Sequence, residues 1–101
     1  MHKVLVLYPK GQDDKKFRAH YETTHVKLTA KWPGLIAQRY SFAIEGARGQ
    51  DAPYYCVFEA DFADAAAFGR AMQSPEGQAV AADVPNYVTV PPIIMHYEVK
   101  G

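Results

Sequence analysis

Positions 20 to 35 read HYETTHVKLTAKWPGL, which gathers two of the four histidines, a carboxylate and the only tryptophan. Histidine titrates near neutrality and serves as acid, base or metal ligand. A zinc-protease helix sets two histidines four residues apart with a glutamate directly after the first, so that both rings leave one face. Here His20 and His25 are five apart, and α-helical geometry turns them about 140° away from each other. No metal site is expected on that ground.

With Phe17 as origin of a helical wheel, Leu28 falls at about 20°, Tyr21 at about 40°, Trp32 at about 60° and His25 at about 80°. His25 therefore flanks the apolar stripe. His20 lies on the opposite flank, where a solvated side chain is expected, and is no site candidate. Two readings of His25 stay open: a boundary imidazole bonded to a carbonyl or water, or a general acid or base beside an aromatic-lined pocket. Asp83 could be its partner, although no local spacing pairs them. Tyr21 has the best claim to such a pocket through its neighbourhood with His25, and Tyr8, Trp32 and Tyr87 are further candidate walls or donors. His96 reads as a sheet-face residue.

Other chemistries lack their residues. There is no GxGxxG, no GxxxxGK[ST] and no G-x-S-x-G, and the lone Cys56 sits in an apolar strand without a local base. Eleven basic and eleven acidic side chains cancel without forming blocks, which argues against nucleic acid and anionic membranes as partners. The RNA-recognition signature is not met either: its third-strand glycine and basic positions are replaced in APYYCVFE. A single cysteine and a five-residue apolar run near the start, too short for a signal or a membrane span, fit the reducing cytoplasm.

The elements that must position these residues follow from pattern. At 101 residues, 49% of them hydrophobic, the chain suits one domain, 1–101, with a real core. VLVLY (4–8) reads as a strand. Asp13 caps a helix that runs to the Pro33-Gly34 stop. LIAQRYSFAIE (35–45) and YYCVFEADF (54–62) read as a hairpin around GARGQDAP. Asp64 caps a second helix, which Ser74-Pro75 breaks and restarts. PPIIMHYEV (91–99) closes the chain as a strand.

The order β-α-β-β-α-β is the ferredoxin-like arrangement, an α+β fold whose four-stranded antiparallel sheet carries both helices on one face. Apolar side chains on both strand faces imply that a second copy covers the bare face, a homodimer joined sheet to sheet.

VLVLYPK, the helix with Phe17, Tyr21 and His25, the H-x-x-L of His25 to Leu28 before Pro-Gly-Leu, and SPEGQAVAAD (74–83) followed by Tyr87 together resemble the EthD family, named for ethyl tert-butyl ether degradation. The resemblance spans nearly the whole chain. It implies a dimeric α+β barrel with a small-molecule pocket between sheet and helices, and it aligns His25 and Asp83 with the family's helix-one histidine and helix-two aspartate. The fold hosts cofactor-free monooxygenases, isomerases and cyclases, so it does not fix a reaction.

The function expected is a pocket for a small hydrophobic or aromatic oxygenated metabolite, with His25 as proton carrier, Asp83 as its partner, and no cofactor implied. An alternative is a non-catalytic accessory dimer in a degradation pathway. A haem-binding role, for which only His25 or His96 could be the axial ligand, ranks last.

Overall fold

A computed structural model describes the chain from Met1 to Gly101. Strands β1 (His2–Pro9), β2 (Ala37–Ser41), β3 (Tyr54–Phe62) and β4 (Ile93–Glu98) form one antiparallel sheet in the order β2-β3-β1-β4. Between β1 and β2 the chain is helical over α1 (Asp14–His20), a π turn (Tyr21–His25) and α2 (Val26–Thr29); between β3 and β4 it forms α3 (Ala65–Gln73), α4 (Pro75–Asp83) and a 3-10 turn (Val84–Asn86). This is the expected ferredoxin-like order, and the single sheet is open rather than closed into a barrel.

Caps fall where the sequence places them. Asp13 and Asp64 accept from the backbone N–H groups of Lys16 and Ala67 at 3.3 and 2.8 Å. Ser74 accepts from Gly77 N–H at 3.0 Å and donates to the Ala71 carbonyl at 2.6 Å, so one hydroxyl ends α3 and begins α4.

Several expected boundaries shift, two of them with a visible cause. The first helix stops at Thr29, before Pro33, because Thr29 and Gln38 tie off its end: Gln38 Nε2 donates to the Val26 carbonyl and Thr29 Oγ1 to Gln38 Oε1. β2 ends at Ser41, short of 45, where the Ser41 hydroxyl accepts from Ala43 N–H and competes with the ladder.

Alternation along β1 and β3 sends Val4, Val6, Tyr8, Cys56, Phe58, Ala60 and Phe62 into the core beneath the helices. Burial keeps the Cys56 thiol protonated, pushed up to about 12. Phe17 anchors the aromatic half of the core, edge-on to Tyr8 at 5.0 Å and to Tyr87 at 4.9 Å.

The bare face is mixed rather than uniformly apolar. Register places Leu5, Leu7, Val57, Ile93, Met95 and Tyr97 on it, beside a neutral network in which Lys3 pairs with Glu59 at 2.8 Å and Arg39 with Asp61 at 2.6 Å. β4 is exposed along its whole length. No helix is long and apolar enough to cross a membrane.

The bend at Ser74 brings Gly77 against the carbonyl end of α3, where an added Cβ would stand 2.0 Å from Ala71 O and 2.7 Å from Met72 O. Gly77→Ala should lower stability by about 3 kcal/mol through this backbone clash, and Ser74→Ala by about 1 kcal/mol through the lost cap. Urea unfolding of both variants checks the order; equal losses would contradict it.

Candidate functional site

The π turn decides the geometry of the site. The N–H of Val26 bonds to the carbonyl of Tyr21, five residues back, so residues five apart lie about one turn apart instead of on opposite flanks. Within this stretch Thr23 Oγ1 donates to the Ala19 carbonyl at 2.7 Å, a side-chain bond of the kind that loosens α-helical pairing. His20 and His25 consequently point the same way.

What they share is Asp83, the last residue of α4. His25 Nδ1 lies 2.9 Å from Asp83 Oδ2, and His20 Nε2 lies 2.8 Å from Oδ1. Asn86 Nδ2, from the following 3-10 turn, donates to Oδ1 at 3.0 Å. His20 is therefore not the free solvated ring its wheel position suggests. The α-helical wheel fails there because the helix changes pitch directly after it.

Burial acts to raise the Asp83 pKa, yet the hydrogen bonds from Asn86, His20 and His25 outweigh it and hold the carboxyl below its ordinary 3.8. Burial acts on His25 to keep it neutral, placing it below 6.5 although the Asp83 bond pulls the other way. Near neutral pH the pair is thus a carboxylate and a neutral imidazole. An ionised carboxylate only accepts, so the His25 hydrogen sits on Nδ1 and the lone pair on Nε2.

His25 is buried, and its ring forms part of the wall of a cavity of about 180 Å³ between sheet and helices. Val4, Val6, Tyr8 and Phe58 supply the sheet side, Phe68 and Val80 the side of α3 and α4, and Trp32 and Thr29 flank His25. Nδ1 is held by Asp83 and Nε2 has no partner within the chain, so His25 is the one basic group on a largely apolar wall. Met72 and Ile94, half-exposed or more, border the cavity beside β4.

Of the residues singled out in the sequence, His25, Trp32 and Tyr8 line the cavity and Asp83 stands behind His25. Tyr21 and Tyr87 do not line it; they are fully buried and pack on the His25 ring at 5.5 and 4.6 Å between centroids. Tyr8 and Tyr87 share a 2.7 Å hydroxyl contact, and burial pushes the pKa of both, and of Tyr21, above the ordinary phenol value. The Tyr21 hydroxyl and the Trp32 indole N–H are buried without hydrogen-bond partners. His96 does not line the cavity; it bonds to His2 at 2.8 Å and its ring packs on Phe68, a wall residue, at 5.1 Å between centroids. Sequence reasoning missed His20, Asn86 and Thr29; only the i, i+5 histidine spacing beside two threonines hinted at the first.

Residues 9–91 match the EthD domain, so the chain belongs to the EthD family. It is 31% identical over 90 residues, 88% of this chain and 85% of the relative, to an uncharacterised 11.0 kDa protein of the thcB-thcC intergenic region of Rhodococcus erythropolis. Among solved structures it is similar to an ethyl tert-butyl ether degradation family protein from Bacillus halodurans, at 28% identity and TM-score 0.88 over 99% of both chains. A dimeric ferredoxin-like protein of unknown function from Thermobifida fusca shares the fold, at 18% identity and TM-score 0.68 over 97% of this chain and 90% of that one.

Below pH 6.5 the unfolded chain protonates at position 25 before the folded protein does, so stability should fall as pH drops through that value. The Asp83 contribution is present above 3.8 and is lost on further acidification toward its lower folded value. Urea unfolding against pH checks this: wild type should lose stability from about pH 6.5 downward, and His25→Gln should flatten that limb. A flat wild-type profile between 6.5 and 5 would contradict the assigned burial of a neutral ring.

Proposed function

We propose that this protein holds a small, largely apolar, oxygen-bearing molecule in the cavity and that His25 moves a proton to or from it. The observation that carries the reading is the orientation of one ring: Nδ1 fixed on Asp83, Nε2 unpartnered, on a wall otherwise almost apolar. A carboxylate behind an imidazole fixes its tautomer and stabilises the imidazolium that forms when Nε2 takes a proton. Such a base needs no bound cofactor to act on an activated phenol, a lactone or a C–H beside a carbonyl.

Size narrows the class. A dry cavity of about 150 Å³ accepts benzene, and the cavity here is about 180 Å³. One ring with one or two oxygen substituents fits this volume. Tyr8 and Trp32 offer flat aromatic walls to such a ring, with Tyr21 and Tyr87 holding His25 from behind.

The working form is a homodimer joined through the bare face of the sheet. Ile93, Met95 and Tyr97 are each more than 40% exposed on that face of β4, and an open apolar edge strand is a liability in a lone protomer. The Lys3–Glu59–Asp61–Arg39 network carries no net charge, so a twin surface can cover it without burying an unpaired ion.

Imidazole NMR with a panel of single-ring phenols and lactones tests the pocket. The expected result is a ligand-dependent shift at His25 and, for a compound that is turned over, a loss on the order of 10²–10⁴-fold in His25→Ala. No shift at His25 with any member of the panel, together with full stability of His25→Ala, favours the accessory dimer instead. Sedimentation should show a dimer at micromolar concentration and a monomer for Met95→Glu; a wild-type monomer would remove the sheet-to-sheet reading.

A further inference from the structure

We propose that His20 is a positioning residue for His25: each ring holds one oxygen of the Asp83 carboxylate, so the proton carried at the cavity and the proton carried at the surface are set against each other. This rests on the reading of His25 as proton carrier and extends it to a residue outside the cavity.

The geometry spans the helical layer. His25 is 4% exposed at its side chain and borders the cavity, Asp83 lies between, and His20 is 29% exposed at its side chain. His20 Nε2 is committed to Asp83, while its Nδ1 has no partner within the chain and lies on a ring that water reaches. The ion pairs of Asp83 are with these two rings alone.

The groups that pack on or bond to this trio are uncharged. Tyr87 packs against both rings, nearly parallel to His20 at 5.8 Å and tilted on His25 at 4.6 Å. Tyr21 stacks on His25 from the π turn, and Tyr8 reaches Tyr87 from β1. These phenols are neutral, as is Asn86, which donates to Asp83 from the 3-10 turn. One negative charge thus serves two rings that can each become positive, and charges this close repel strongly in a partly desolvated setting.

The proton balance follows. The substrate proton bonds to His25 Nε2 and its electron pair stays on the substrate as an anion. Nδ1–H remains on Asp83, which keeps its charge. Where His20 is protonated, the new charge on His25 expels the proton of His20 Nδ1 to water. Net charge around Asp83 is then unchanged, one positive ring before and one after. No proton passes through the carboxylate.

Histidine NMR titration of the ligand-free full-length protein tests this. In wild type the His25 resonance should show two inflections, one coinciding with the titration of His20. His20→Gln keeps an N–H for Asp83 without the capacity to charge, and His25 should then titrate in one step at higher pH. His20→Phe keeps the stack on Tyr87 and frees Asp83 for His25, and should also move His25 upward. A His20 that only tethers the helix predicts an unchanged His25 curve in His20→Gln, and that result overturns the proposal. Should His20→Gln not fold, independent single-step curves for His20 and His25 in wild type overturn it equally. All these readings are made without ligand, so absence of a ligand-dependent shift at His25 sinks the proposed function and leaves this coupling standing.

Discussion

A carboxylate with little contact with water must have its oxygens satisfied, and in this fold that constraint falls on Asp83. Three N–H groups meet it, from His20 at the end of α1, His25 at the end of the π turn, and Asn86 in the 3-10 turn. The two halves of the helical layer, far apart in sequence, are joined there by charge-assisted bonds rather than by apolar packing alone. Taking away either ring would leave part of a buried charge uncompensated, which costs more than the bond itself contributes.

The π turn is the local expense of this arrangement. A regular α-helix would send His20 outward and leave one oxygen of Asp83 to Asn86. Inserting a five-residue turn between α1 and α2 rotates the first ring onto the carboxylate and keeps Phe17 and Tyr21 in the core. A departure from ideal helix geometry at the residues with the most chemistry is the pattern expected where a site, rather than stability, sets the local conformation.

Around that point the fold separates two surfaces by the two-residue period of its strands. Residues of β1 and β3 that face the helices build the cavity wall and the aromatic core, while their neighbours face away and carry the Lys3–Glu59–Asp61–Arg39 network. β4 belongs to the sheet by its ladder yet is left exposed on both sides, although Phe68 of α3 packs on its His96. Ile94 on one side borders the cavity and Met95 on the other lies on the bare face, so this edge strand joins the cavity to the bare face of the sheet.

Much of this was legible in local signals. Strand alternation, the caps at Asp13, Asp64 and Ser74, and the Ser74-Pro75 break determined the element order and hence the ferredoxin-like sheet, because periodicity and capping act within a few residues. They also placed His25 at the edge of an apolar stripe. Tertiary structure alone decided that Asp83 faces it, that His20 turns inward to the same carboxylate, and that Tyr21 supports the cavity from behind instead of lining it. Those outcomes depend on a change of helical pitch and on contacts between residues some sixty positions apart, which no helical wheel or local spacing encodes.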